Sequence, residues 1–225
     1  MNTRSHKLRN RLFAVAGALI ALVVSQPEAF AQPQFTSLHS FNGTDGFGPM
    51  AGVVQGADGA LYGSTSGQVN SPIVGTVFRL GLTTPGLTTL HSFADGSRLY
   101  SGLALGSDGL LYGSTYSSNS AADLGTLFRV GSDGQNFASL HSFSGADGAR
   151  PDDLKLIQGG DGAFYGATSE GGPDGGGTLF RLDPATQTLT TVYSFIAAAG
   201  VDAGLVAGYD GYWYGTTYSG GAYGA

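Results

Sequence analysis

Asp58-Gly59-Ala60-Leu61-Tyr62-Gly63-Ser64-Thr65 is the stretch on which the fold turns, because the chain writes it four times. It returns from Asp108, from Asp161 and from Asp210, ending in Tyr112-Gly113-Ser114-Thr115, Tyr165-Gly166-Ala167-Thr168 and Tyr214-Gly215-Thr216-Thr217. Two further blocks travel with it. Leu38-His39-Ser40-Phe41 comes back as Leu90-His91-Ser92-Phe93, Leu140-His141-Ser142-Phe143 and Val192-Tyr193-Ser194-Phe195, at steps of 52, 50 and 52 residues. Gly75-Thr76-Val77-Phe78-Arg79-Leu80 returns from Gly125 and from Gly177. Three blocks in one order at one spacing make a tandem repeat, with units at about 36–87, 88–137, 138–189 and 190–225.

Each unit reads as four short strands: one ending at Phe41, one over Ala51 to Gln55, one over Ala60 to Thr65 and one over Thr76 to Leu80. Asp-Gly between apolar runs is a hairpin signal, since glycine accepts the positive φ of a two-residue primed turn. Thr76, Phe78 and Leu80 alternate with Val77 and Arg79, so the last strand has two distinct faces. Leu61 and Tyr62 are both large yet point to opposite faces, which requires a sheet covered on both sides. Four antiparallel strands in about fifty residues match one blade of a β-propeller. The expected fold is therefore all-β, a β-propeller-like array of such blades. A β-helix uses shorter coils and needs no hairpin in every unit. Glycine after each repeated Tyr predicts close approach of a neighbouring backbone near a crowded axis. Tyr214 is followed by 11 residues, so by count about 3.75 blades are present and the array is expected to be a truncated copy of a longer one.

Composition agrees. Of 225 residues 39 are Gly, 11 Tyr and 13 Phe, which excludes a helical bundle, and the glycines lack the three-residue period of collagen. Ahead of the repeats, Arg4, His6, Lys7, Arg9 and Arg11 precede an apolar run from Leu12 to Val24 and the small-residue site Ala29-Phe30-Ala31. Residues 1–31 therefore read as a secretory signal peptide cleaved before Gln32, the run of 13 residues being short for a membrane span of about 20. Cleavage leaves six bases against fifteen acids, a net charge of −9, and no apolar run of membrane length. That balance excludes nucleic acid as partner. With no Cys, the domain at 32–225 relies on its core rather than on disulfides.

The combination of Leu-His-Ser-Phe, Asp-Gly-x-Leu-Tyr-Gly-x-Thr and Gly-Thr-x-Phe-Arg at this period resembles the GloVer tandem repeat of bacterial exported proteins, the choice-of-anchor tandem repeat family. The resemblance covers Thr36 to Tyr223. It implies export to the periplasm, cell surface or exterior, a propeller-like array and, in full-length members, a C-terminal anchoring region. It implies no activity at any particular residue.

What recurs in every unit is read as architecture. That applies to His39, His91 and His141, to Tyr62, Tyr112, Tyr165 and Tyr214, and to Arg79, Arg129 and Arg181, because a catalytic base is needed once and not once per repeat. The histidines are expected to pack sideways with one nitrogen hydrogen-bonded, and the arginines to pair with a carboxylate or stack on a Tyr. Asp45, Asp95 and Asp147, in the loop after the Leu-His-Ser-Phe strand, are the candidate calcium ligands, although they follow no known calcium-loop spacing. Residues that break the pattern could make a site: Arg98, Arg150, Asp152, Asp153, Lys155, Glu170, Asp174 and Trp213. Asp152, Asp153, Lys155, Glu170 and Asp174 form the candidate polar cluster. No phosphate loop or serine nucleophile elbow is present. The favoured role is non-enzymatic binding or adhesion at the envelope, to a glycan or an envelope protein, with no cofactor required. The alternative is a quinoprotein- or lactonase-like propeller enzyme acting on a sugar or lactone, against which stands the lack of a unique His.

N-terminal sequencing of the chain recovered from outside the cytoplasm of a Sec-competent bacterium is expected to begin at Gln32; a start at Met1 in that fraction rejects the cleavage site.

Overall fold

The computed structural model describes residues 18–23, 34–68, 73–84, 86–93, 97–116, 123–151, 155–196 and 204–217. Among them there is no helix. β1 (Ala18–Val23) pairs antiparallel with β2 (Gln34–Ser40). The first four-stranded sheet runs β3 (Val54–Gln55), β4 (Leu61–Thr65), β5 (Gly75–Gly81), β6 (Gly86–Phe93). The second runs β7 (Ala104–Leu105), β8 (Leu110–Thr115), β9 (Thr126–Gly131), β10 (Ala138–Ser142). The third runs β11 (Ile157–Gln158), β12 (Phe164–Thr168), β13 (Gly175–Asp183), β14 (Thr188–Ile196). β15 (Val206–Ala207) and β16 (Trp213–Tyr214) form a final pair. Every pairing of these strands is antiparallel between sequence neighbours, the least costly topology for loop closure.

The sheets are out of phase with the sequence units. The Leu-His-Ser-Phe strand does not open the sheet of its own unit; it is the fourth strand of the sheet begun in the unit before, as β6 is beside β5. The short link from Gly81 to Gly86 ties these two strands as a hairpin, whereas ten residues separate Phe93 from Ala104. In that fourth strand one residue is skipped at the same place each time. Val77 faces His91 while Phe78 faces Thr89, leaving Leu90 without a partner; Leu140, Val192 and Leu38 are skipped likewise. Such a bulge twists the strand and re-aims the side chains beyond it. β1 meets β2 in the register that β5 uses on β6, so β1 stands beside β2 as the third strand stands beside the fourth in the later sheets.

The hairpin turns also differ from the two-residue expectation. Gly56 N–H donates to Ala60 O at 2.9 Å and Gly59 N–H to Gly56 O at 3.0 Å, so three residues, Ala57-Asp58-Gly59, span the turn. Gly59 is the left-handed residue at φ 76°, as a type I turn closed by a bulge glycine requires. Gly109, Gly162 and Gly211 repeat it.

The first and second four-stranded sheets bury both faces. Phe78 and Leu80 of β5 pack with Leu61 on one side, against Leu38 and Phe41 of the first pair. Val77 and Tyr62 leave by the other face, into a cluster with Leu111, Phe128 and Val130 of the second sheet. Tyr112 and Leu127 then meet Phe164, Phe180 and Leu182 of the third. The repeated glycine serves this packing in a way the sequence reading missed. A Cβ on Gly63 would lie 2.5 Å from Cζ of Phe78, its cross-strand partner, and Gly113 and Gly166 stand under Phe128 and Phe180 in the same way. The close neighbour is an aromatic ring of the same sheet, not another backbone.

Gly113→Ala sets a Cβ 2.6 Å from Phe128 Cζ and 2.9 Å from Leu103 Cδ2, and is expected to cost about 1–3 kcal/mol in urea unfolding. Adding Phe128→Leu should return part of that loss, while Gly160→Ala, which meets nothing within 4 Å, stays near neutral.

Candidate functional site

The repeated polar residues form closed sets. Tyr62 Oη donates to Asp58 Oδ2 at 2.9 Å, and Arg79, directly across the ladder from Tyr62, donates to that oxygen from Nε and Nη2 at 3.0 and 2.7 Å. The other oxygen, Oδ1, accepts from Ala60 N–H at 3.1 Å and so holds the turn. The third sheet repeats this with Tyr165, Arg181 and Asp161. In the second, Tyr112 donates to Asp108 at 2.6 Å, and the Nε of Arg129, opposite Tyr112, is buried without a hydrogen-bond partner. Tyr214 donates to Asp210. The Arg79 guanidinium, Tyr62 and the turn amide hold Asp58 below the ordinary carboxyl value of 3.8. Burial, reinforced by Asp108, pushes Tyr112 up to about 12.

His39 and His141 each use Nε2 to bond the carboxylate six residues on, Asp45 and Asp147, at 2.7 Å. Their rings stand edge-on to Phe41 and Phe143, and His91 to Phe93, with centroids 4.7–5.0 Å apart. Asp45 accepts in addition from Asn42 N–H, and Asp147 from the N–H and Oγ of Ser144. Both carboxyls lie below the ordinary value: burial opposes this, but the loop amides and the histidines outweigh it. Two of the three candidate calcium ligands thus spend their oxygens on closing their own loops, and Asp95 lies outside the described residues. Among the described residues no three His, Cys, Asp or Glu side chains are grouped as a metal would require.

Two recurring contacts escaped the sequence reading. Ser64 Oγ donates to Ser101 O at 3.2 Å and Ser114 Oγ to Pro151 O at 2.7 Å, each joining one sheet to the loop of the next unit. Thr65 and Thr76 bond through their hydroxyls at 2.8 Å, as do Thr115 with Thr126 and Thr168 with Thr178. A polar residue in a strand otherwise buried on both faces was the available signal.

The described out-of-pattern residues each have contacts of their own. Lys155 lines a groove of about 290 Å³ with Gly52, Val53, Tyr100, Gly102 and Leu103. Glu170 pairs with Arg150, and Asp174 N–H lies 3.4 Å from Ser194 Oγ. Asp152 and Asp153 lie outside the described residues. Sequence reasoning passed over Tyr100 and Tyr116, whose rings are 5.4 Å apart, with Arg98 and Arg150 stationed 5.4 and 5.5 Å from the Tyr116 centroid. Trp213 stacks on Tyr165 at 4.9 Å, as Phe164 does on Tyr112 at 4.0 Å. A second cavity of about 380 Å³ opens beside that Trp213 contact, next to Gln158, Asp161 and Tyr212.

The family described as the Gloeobacter/Verrucomicrobia repeat matches residues 26–225 of the chain. Among proteins with curated descriptions none matches it.

Asp45, Asp58, Asp147 and Asp161 have folded-state carboxyls below 3.8, so their contribution to stability is complete above that pH and is lost as pH falls through the lowered values. Tyr112, raised from 10 to about 12, contributes fully below pH 10 and loses its contribution as pH climbs toward 12. Thermal melting across pH 2–12 should therefore fall at both ends, and Tyr112→Phe should flatten the alkaline limb while costing about 1 kcal/mol at neutrality.

Proposed function

The chain belongs to the Gloeobacter/Verrucomicrobia repeat family, and we propose that within it this protein is exported and acts at the cell envelope by binding, its sheets standing as blades of a β-propeller-like array. One observation carries the architecture. Gly52, Gly102 and Lys155 hold the same position in three successive units, and all three line one groove. Inner strands from consecutive blades meet in this way around a shared axis. Burial of both faces of the first and second sheets supports the same reading.

Binding is favoured over catalysis because the titratable groups that recur are committed to one another. His39 with Asp45 and His141 with Asp147 are two copies of one loop closure, and Tyr–Asp–Arg is a turn-to-strand clamp. Loop-lined surfaces repeated along an array offer several weak, equivalent contacts that add by avidity, which suits a glycan or an envelope protein as partner.

The chain has no cysteine, so an engineered pair reports cleanly. A Cβ built on Gly102 lies 3.9 Å from the Ala51 Cβ, within disulfide reach. Ala51→Cys/Gly102→Cys in the full chain is expected to be recovered oxidised from an exporting bacterium, and reduced when residues 1–31 are deleted. Free thiols in both reject export if the purified deletion protein still crosslinks on oxidation in vitro, and reject the axial convergence if it does not. Turnover of lactones, or quinone-dependent oxidation of sugars, by the purified chain overturns the binding role.

A further inference from the structure

Six basic residues follow position 31, and they divide evenly. Arg79, Arg129 and Arg181 belong to the repeated Tyr–Asp–Arg positions. Arg98, Arg150 and Lys155 do not, and the first unit shows what they replace. Gly48, Arg98 and Arg150 are equivalent: each offers its carbonyl to the residue after the second strand of its sheet, Ser66 N–H at 3.0 Å, Tyr116 N–H at 2.7 Å and Ser169 N–H at 3.1 Å. Lys155 is equivalent to Gly52 and Gly102. The later units therefore carry cations where the first has glycine, at positions whose backbone duty a glycine already performs.

These cations run as one strip. The guanidiniums of Arg98 and Arg150 both lie within 5.5 Å of the Tyr116 ring centroid. Arg98 Nη1 donates to Tyr100 Oη at 3.3 Å, and its Nε is buried without a hydrogen-bond partner. Tyr100 tilts against Tyr116 and forms the wall of the groove that Lys155 enters. Beyond it the wall is apolar, with Met50, Val53 and Leu103. Glu170 is ion-paired with Arg150; Asp152 and Asp153 adjoin Lys155 in sequence and lie outside the described residues. Two like charges sharing one ring repel, and Glu170 pairs with Arg150 alone, so a further anion beside Arg98 and Lys155 would relieve that repulsion.

The aromatic component narrows the anion. A bare carboxylate or phosphate needs charge and donors only, whereas a sugar ring has an apolar C–H face that lies on a Tyr and hydroxyls that bond to phenols and backbone. A uronic acid puts its carboxylate on the ring itself, so face and charge sit within a few ångströms of each other. A groove of about 290 Å³ is at the small end of ligand pockets, the size for a sugar unit rather than a long buried chain.

We propose that the strip Arg98–Tyr100–Tyr116–Arg150, with Lys155 in the adjoining groove, binds a carboxylated saccharide, a uronic acid unit of an envelope or extracellular polysaccharide. This rests on the binding role above and names its ligand class.

The test is affinity electrophoresis and calorimetry of the whole exported chain with three polymers: polygalacturonate, its methyl ester, which keeps the rings without the charge, and polyglutamate, which keeps the charge without the rings. Polygalacturonate is expected to bind at least about tenfold more tightly than either control, and less tightly as salt rises. Arg98→Gly, Arg150→Gly and Lys155→Gly copy the first unit's own residue, so each should fold with an unchanged melting temperature and weaken binding about tenfold. Equal binding of polyglutamate overturns the saccharide assignment, and unchanged binding in the triple glycine variant, or no binding of polygalacturonate by the wild type, overturns the site. Envelope retention of the wild type and the triple variant is measured in parallel: equal retention rejects this site while leaving a binding role intact, and no retention of either rejects the binding role itself.

Discussion

Tyr62, Tyr112 and Tyr165 leave their sheets by one face and lie against the residue that precedes the equivalent tyrosine in the next: Leu111, Phe164 and Trp213. This contact ties consecutive sheets together, and much of the repeat follows from accommodating it. A tyrosine buried along most of its length must satisfy its hydroxyl at the far end. The aspartate four residues earlier supplies the acceptor, and the same carboxylate holds the turn through its other oxygen. In the first and third sheets the arginine opposite neutralises that carboxylate, with its charge left at the partly exposed end. The next residue along the strand must then be glycine, because the phenylalanine before that arginine lies directly across it. The sequence Asp-Gly-x-x-Tyr-Gly and the distant Phe-Arg are thus one solution to one packing problem, reached by a hairpin.

The fourth strand has its own closure. The bulge before His39, His91 and His141 sets the histidine and the phenylalanine two residues on together on one face. The ring then stands edge-on to that phenylalanine, and in the first and third copies its Nε2 reaches the loop aspartate. The loop it closes carries the chain from the last strand of one sheet to the first strand of the next, so a residue with the look of an acid–base catalyst works as a strap across the connection between sheets. In the fourth unit Tyr193 keeps the edge-on contact with Phe195 at 4.8 Å without an imidazole, which marks the ring rather than the nitrogen as the shared element.

The strand content, the two-faced burial and the alternation Thr76, Phe78, Leu80 against Val77, Arg79 were legible because period two and large residues on both sides leave few alternatives. The phase of the sheets was not. Repeats are cyclic patterns, and where one sheet ends is decided by which loop is short, a property of Gly81 to Gly86 and not of the repeated blocks. The bulge was hidden for a related reason: Leu38 and its equivalents are apolar like their neighbours, and a skipped residue has no compositional sign. The glycine after each tyrosine was read as leaving room for a backbone, when the room is filled by a phenylalanine fifteen residues on in the first two sheets. Asp45 and Asp147 looked free to bind a cation because their partners sit six residues back across a turn, a separation no simple periodicity brings together.

Equivalence between units also tells where the chain departs from necessity. At position 48 and its copies the backbone carbonyl does the structural work; glycine suits the left-handed backbone of the first unit at φ 64°, Arg150 adopts the same region at φ 56°, and Arg98 and Arg150 add charge while keeping the bond. Position 52 and its copies face the groove, where the Lys155 stem lies 4.0 Å from the Cβ direction of Gly102 and adds a cation to a surface otherwise made of backbone and apolar side chains. Tyr116 completes the set at a position that is Ser66 in the first unit and Ser169 in the third. Three independent departures from the repeat, none demanded by the stacking of the sheets, join through Tyr100 into one cationic and aromatic strip. A repeat protein can vary such positions at little cost to its core, and their convergence is the physical reason to look for its ligand there rather than among the residues that every unit shares.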